Sequence, residues 1–127
     1  MIGEVLLGIY QPQSDNDRFM LQTNEHYYSL RMGGFKRETE FTLQKYNSLP
    51  CTYIGLQILS IYTDDESVYI LLESGDAITS SWVSISNEGI PSLGVFQESA
   101  DELNLDFMNQ EYCYKIEVGA DGFSKRI

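Results

Sequence analysis

Apolar and polar residues alternate with a period of two along much of this chain, and this spacing constrains the fold more than any other feature. The clearest stretch holds three runs rich in β-branched and aromatic residues: Leu56 to Thr63, Val68 to Glu73 and Ala77 to Ser86. Such alternation is typical of strands with one buried face. The polar connectors between the runs are short, so neighbouring strands must be antiparallel. The sequence therefore predicts a three-stranded meander.

Further strands are predicted on both sides of this meander. They are Ile2 to Tyr10, Phe19 to Thr23, His26 to Met32, Phe35 to Leu43 and Tyr112 to Val118. The second and third form a hairpin, because only the polar residues Thr23-Asn24-Glu25 separate their apolar runs. For the fourth, a helix starting near Thr39 is the alternative. After the meander, Asn87-Glu88-Gly89 and Pro91 are expected to end the local run of the sheet.

One helix is predicted by the pattern Ser99-Ala100-Asp101-Glu102, in which a serine and a glutamate cap the first turn reciprocally. Leu103, Phe107 and Met108 would form the buried stripe of a helix of two to three turns. A length of 127 residues predicts a single domain, residues 1–127. The expected fold class is α+β and mostly antiparallel β, a single curled sheet or small barrel with one or two short helices.

The excess negative charge lies entirely in one stretch of the sequence. From Tyr46 to Tyr114 there is no Lys, Arg or His, and outside this stretch eight basic residues match eight acidic ones, so the net charge of −11 is regional. We expect the meander and the capped helix to present these acids on one patch. The eleven carboxylates are Asp64, Asp65, Glu66, Glu73, Asp76, Glu88, Glu98, Asp101, Glu102, Asp106 and Glu111.

This charge distribution limits the classes of partner. A concentrated negative field repels nucleic acid and anionic membranes and attracts a basic protein. No apolar run approaches the roughly 20 residues that a membrane span needs. Met1-Ile2-Gly3-Glu4 has an acid where a secretory signal carries basic residues, so we expect a cytoplasmic protein without membrane or direct nucleic-acid contact. Cys51 and Cys113 are then expected to be reduced thiols, with a single disulfide as the alternative.

No catalytic motif stands out in the sequence. His26 is the one histidine, and its place beside a predicted turn favours an exposed or edge-strand imidazole over a proton carrier. There is no G-x-S-x-G elbow, and Gly33-Gly34 lacks the Gly-Lys-Ser or Gly-Lys-Thr of a phosphate loop. The sequence predicts a protein that is not an enzyme and has no cofactor. An acid pair of the glycosidase type stays open, because it is defined by separation in space.

Two acidic turns are candidate metal sites. Asp64-Asp65-Glu66 and Asp15-Asn16-Asp17 place oxygen ligands in loops, but neither has the twelve-residue pattern of a calcium hand. One histidine and two distant cysteines do not suit zinc. Solvated turns are the favoured interpretation of both clusters, with a hard-cation site as the alternative. No metal site is predicted.

The candidate functional residues combine these acids with aromatic side chains. Tyrosine and tryptophan provide large contacts at low entropic cost, and their faces accept arginine. The alternative is that the tyrosines are ordinary strand residues. The predicted partner-binding residues are Tyr62, Asp64, Asp65, Glu66, Tyr69, Glu73, Asp76, Trp82, Asp101 and Glu102.

The expected function is a non-enzymatic acidic binding protein that neutralises or occludes a basic partner, such as a toxin or a nucleic-acid enzyme. In size, charge and lack of a catalytic motif the chain resembles immunity proteins that block nuclease toxins and nucleic-acid mimics, although no motif assigns it to either group. One alternative is a structural or assembly domain that forms a homo-oligomer. A small carboxylate-based enzyme or ligand-binding module is the other.

Overall fold

Antiparallel β-strands form most of the fold. The computed structural model describes residues 1–13, 18–31, 34–39, 43–64, 66–85, 91–103, 105 and 109–127. In these ranges the strands are β1 (Leu6–Pro12), β2 (Phe19–Thr23), β3 (Tyr27–Arg31), β4 (Gly34–Glu38), β5 (Tyr46–Ser48), β6 (Ile58–Thr63), β7 (Ser67–Leu72), β8 (Ala77–Ile85), β9 (Pro91–Glu98), β10 (Tyr114–Val118) and β11 (Ser124–Arg126). A short 3-10 turn, Leu43–Lys45, precedes β5.

The strands form two sheets. One has five strands in the order β4-β3-β2-β1-β5, and the other has six in the order β11-β10-β6-β7-β8-β9. Single bridges connect the sheets at Val5–Gln57 and Lys36–Phe123. The expected mostly antiparallel β class is confirmed. The single curled sheet is wrong, because the strands form two sheets, and the described strands do not close into a barrel.

The predicted hairpins are present in both sheets. β2 pairs with β3 around the Asn24–Glu25 turn, where the Thr23 amide donates to the His26 carbonyl at 2.9 Å. The β6-β7-β8 meander pairs Ile61 with Ile70 and Ile70 with Ile78. Beyond Glu38, the expected strand from Phe35 to Leu43 gives way to the 3-10 turn, and residues 40–42 lie outside the described ranges.

The expected end of the sheet after the meander is wrong. Instead of leaving the sheet at Pro91, the chain forms β9, which pairs with β8 from Ala77–Glu98 to Ile85–Pro91. Proline is tolerated there because it occupies the first position of a strand at the end of the sheet, where no further strand needs its amide.

The segment from residue 99 to residue 113 begins and ends at opposite ends of the strands of the six-stranded sheet. Strand pairing requires β9 and β10 to run in the same direction, because four successive antiparallel pairings separate them. The segment starts beside the β7–β8 turn, next to Glu98, and ends beside the β6–β7 turn, where Tyr114 pairs with Thr63. Residues 99–113 are called the crossover below.

The helix predicted at the start of the crossover is not confirmed. The amides of Glu102 and Leu103 donate to the Ser99 carbonyl at 3.0 and 2.9 Å, which makes one turn. No described residue belongs to an α-helix, and Phe107 and Met108 of the predicted stripe lie outside the described ranges. The capping pattern therefore encodes a turn of the backbone in the described residues.

The core lies between the two sheets. Alternate residues of β7 are buried, Val68, Ile70 and Leu72, as period-two alternation requires. The largest fully buried side chains come from both sheets: Tyr28, Phe19, Phe35, Leu6, Ile9, Met20, Leu21, Ile58, Ile61, Ile70, Leu72 and Ile78. Burying each such side chain contributes about 1.5–3 kcal/mol.

Candidate functional site

The turn between β7 and β8 positions an acidic surface. Gly75 has φ of 88°, a left-handed conformation that glycine adopts without strain. In the same turn, the Leu72 amide donates to the Asp76 carbonyl at 2.9 Å. The Asp76 carboxylate accepts the Ser74 hydroxyl at 2.5 Å and the Ala100 amide at 2.7 Å. Asp76 thus anchors the start of the crossover to the β7–β8 turn.

This anchor brings acids from three parts of the sequence together. Glu98 lies on β9 opposite Ala77, the residue that follows Asp76. Asp101 and Glu102 follow Ala100 in the crossover, and both are exposed. We call the following five residues the acidic end: Glu73, Asp76, Glu98, Asp101 and Glu102.

Tyr53 lies beside the acidic end. Desolvation raises the pKa of its phenol, and the negative charges of Asp76 and Glu102 raise it further. The neighbouring segment is attached to β9, because the Gln97 side-chain carbonyl accepts the Thr52 amide at 2.7 Å and its amide donates to the Pro50 carbonyl at 2.8 Å. An aromatic ring is thereby held next to several carboxylates.

The acidic end has no counter-ion among the described residues. The ion pairs found in those ranges involve Glu4, Glu117 and Asp121. Five of the eight basic residues lie on β4, β10 and β11, whereas the acidic end borders β8 and β9 at the other side of the six-stranded sheet. These basic residues are Lys36, Arg37, Lys115, Lys125 and Arg126.

A second acidic turn joins β6 to β7. The Asp64 carboxylate accepts hydrogen bonds from the backbone amides of Glu66 and Ser67 at 3.1 and 2.7 Å. Asp64 therefore stabilises the turn. Asp65 lies outside the described residues. Burial raises the pKa of Tyr69 and of Cys113, and the charge of Asp64 adds to both shifts.

The two acidic groups lie at opposite ends of β7. A strand of six residues at roughly 3.3 Å per residue separates them by about 20 Å. This distance is more than twice the Debye length of about 8 Å at physiological salt. Among the described residues, the acids of the β6–β7 turn and those of the acidic end therefore form two separate groups rather than the single patch expected from the sequence; Asp65, Glu88 and Asp106 lie outside the described ranges.

The aromatic residues predicted to bind a partner differ in how far they are buried. Tyr62 is only 8% exposed, and the Lys115 ammonium lies 5.5 Å from its ring centroid. Tyr69 is half-buried and pairs with Tyr62 across β6 and β7. Trp82 occupies β8 opposite Leu93, and its side chain lies outside the described part of the chain. Burial leaves Tyr62 little surface for a partner.

Sequence reasoning missed the aromatic residues that adjoin the acidic end. Tyr53 belongs to a turn, and Phe96 lies on β9 with 44% of its side chain exposed. The β-branched and aromatic pair Val95-Phe96 was a usable signal for this strand. The expected end of the sheet at Pro91 conflicts with this signal.

Sequence reasoning also missed a polar network around Glu4. Its carboxylate accepts the Thr23 hydroxyl at 2.5 Å and the Tyr28 hydroxyl at 2.8 Å. The Met1 amino nitrogen lies 2.8 Å from Glu4 Oε2 and 3.3 Å from Glu117 Oε1. His26 Nδ1 lies 3.3 Å from the Tyr28 oxygen. The network joins residues before β1 to the β2–β3 hairpin and to β10.

The chemistry of this network favours a structural role. Burial acts to raise the pKa of Glu4, but the amino group and the two hydroxyls outweigh it, and the pKa lies below its usual range. Burial, followed by the Glu4 carboxylate, raises the pKa of Tyr28 well above its usual range. Both Glu4 oxygens are already occupied by donors from the protein, so the carboxylate has little capacity left for a substrate.

The described residues give no metal centre. No group of three or more His, Cys, Asp or Glu side chains in the described ranges is arranged to hold a metal ion. Cys51 and Cys113 are free thiols, each with a pKa that burial raises. A raised thiol pKa lowers the thiolate fraction and therefore the reactivity.

Comparisons with known protein families, curated proteins and solved structures find no match to this chain. Within the described ranges, no helix is both long and apolar enough to cross a bilayer.

Proposed function

We propose that this protein is a non-enzymatic binding protein that docks a basic protein partner through the acidic end. The observation that carries this proposal is the convergence of five carboxylates at the β7–β8 turn without a counter-ion in the described part of the chain. The partner class is a protein with a basic binding face, which includes nuclease toxins and other nucleic-acid enzymes. Occlusion of that face by carboxylates is the mechanism.

Unpaired exposed carboxylates act mainly on the rate of association. An exposed ion pair contributes only about 0–1 kcal/mol, because water and salt screen it. A cluster of like charges nevertheless creates a field that raises the encounter rate with an oppositely charged partner by roughly 10–1000-fold at low salt. The acidic end therefore supports steering and orientation, and at low salt it raises the affinity through the association rate, while other contacts hold the partner in place.

Aromatic side chains supply such contacts beside the acidic end. Phe96 is substantially exposed on β9, whereas Tyr53 is half-buried against the opposite face and acts on the acidic end from behind. Aromatic rings at the centre of an interface with charged residues around them match the usual anatomy of binding sites. A partner arginine can pair with a carboxylate and stack on a neighbouring ring. The proposed binding surface thus comprises the acidic end together with Phe96, which shares a face of β9 with Glu98.

Affinity capture at two ionic strengths tests this function. Immobilised protein should retain a specific basic protein at low salt and release it at high salt. The double variant Asp101→Asn/Glu102→Gln should lose most of this capture. A matched control, Glu66→Gln/Glu111→Gln, removes the same charge from exposed residues away from the acidic end and should retain it. Equal capture by both double variants would refute the assignment of the acidic end.

A further inference from the structure

The outer side of β9 is a long open edge of the six-stranded sheet. β9 has eight residues and pairs with β8 along its length. In the described part of the chain, no strand pairs with its other side. Backbone N–H and C=O groups along such an edge form a template for another strand.

The other edge strands of the two sheets are less suited to pairing with an added strand. β5 has only three residues, and β4 is bridged through Lys36 to Phe123, the residue before β11. Natural proteins often protect long edges with lysine or inward-pointing charges. β9 contains no basic residue, and Phe96 is exposed on it.

Charge identifies the occupant of this edge. Glu98 ends β9, and Asp101 and Glu102 of the acidic end follow directly. A second copy of this chain is a poor occupant, because each copy carries a net charge of −11. A segment with lysine or arginine would instead meet unpaired carboxylates.

We infer that the free edge of β9 receives an extended basic segment of the partner as an added strand. The inference rests on the proposed function and specifies how the partner binds. Phe96 and Glu98 share a face of the sheet, since they are two positions apart. The added strand therefore places an apolar residue beside Phe96 and a basic residue beside Glu98, two positions apart. On the opposite face, Gln97 already binds the segment at Pro50 and Thr52.

A pair of synthetic peptides tests the added strand. The first has eight residues, the length of β9, with arginine and valine alternating at odd positions and threonine at even positions. The second has the same charge, but proline replaces one threonine and one valine, so an amide that faces β9 is lost whichever direction the peptide runs. Hydrogen exchange of β9 amides is measured by NMR with each peptide. The first peptide should slow this exchange and bind at least about tenfold more tightly than the second.

Two variants test whether the peptide binds at the edge of β9 rather than elsewhere on the sheet. Phe96→Lys places a lysine on the edge and should weaken binding of the first peptide by about tenfold. Phe123→Lys is the matched control, since Phe123 is 52% exposed and lies beside the opposite end of the same sheet, and it should not weaken binding.

The outcomes distinguish this inference from the proposed function. If both peptides bind equally, or β9 amides gain no protection, the added strand is refuted. The proposed function survives that result if binding still depends on Asp101 and Glu102. If Asp101→Asn/Glu102→Gln also leaves binding unchanged, the proposed function fails with it.

Discussion

The carboxylate of Asp76 accepts the backbone amide of Ala100 at 2.7 Å, and this bond connects two turns that are 24 residues apart. It determines where the crossover begins and therefore where Asp101 and Glu102 lie. A contact made by one acid thus positions two others. The acidic end depends on this bond as much as on the number of carboxylates in the sequence.

Replacing Asp76 with alanine should destabilise the protein. The change removes the acceptor of both the Ala100 amide and the Ser74 hydroxyl, and such losses cost about 1–2 kcal/mol. Urea unfolding of the variant measures the loss. Glu73→Ala is the control, because Glu73 is exposed in the same turn and should change stability by less than about 0.5 kcal/mol. Equal stabilities of the two variants would contradict the anchoring role.

The phenol of Tyr53 reports the electrostatic potential of the acidic end. Desolvation and the charges of Asp76 and Glu102 raise its pKa, so Glu102→Gln should lower that pKa towards the usual tyrosine value. The titration is followed by NMR of the labelled Tyr53 Cζ. In Glu66→Gln the Tyr53 pKa should stay unchanged, because the two acidic groups are about 20 Å apart. An equal Tyr53 pKa in the original protein and in Glu102→Gln would show that the acids do not converge.

The Glu4 network should make stability depend on pH in the acid range. Because the folded pKa of Glu4 is lowered, its contribution is complete above the unfolded pKa of 4.5 and is lost as the pH falls through the folded pKa. Glu4→Gln should cost about 1–3 kcal/mol near neutral pH. The difference from the original protein should shrink as the solution is acidified.

Urea unfolding at several pH values checks this dependence. Glu25→Gln is the control, since Glu25 is exposed in the β2–β3 turn and should show no such convergence. A Glu4→Gln deficit that stays constant between neutral and acid pH would contradict the ionised network.

Much of the fold was predictable because it depends on local pattern. The β2–β3 hairpin and the meander follow from alternation and short connectors, and the adjacent Tyr27 and Tyr28 face opposite sides of their strand, with Tyr28 fully buried. β9 was not predicted because Pro91 indicates the end of a strand more strongly than the apolar pair Val95-Phe96 indicates its continuation. A local rule about proline fails at the start of an edge strand.

The arrangement of the candidate site was not predictable in the same way. The division of the acids into two groups depends on the length of β7 and on the pairing order of β9 and β10, which no local pattern encodes. The Glu4 network includes contacts between residues that are distant in sequence, 24 positions for Glu4 with Tyr28 and 115 for Ile2 with Glu117. Sequence spacing alone gives no sign of such contacts.

The most direct test of the proposed function is the association rate with the captured basic partner as a function of salt. Stopped-flow fluorescence should show a rate that falls steeply as salt rises. At low salt, Asp101→Asn/Glu102→Gln should associate about tenfold more slowly and with a weaker salt dependence, while Glu66→Gln/Glu111→Gln stays close to the original protein. A rate that is independent of salt, or equally reduced in both double variants, would contradict binding through the acidic end.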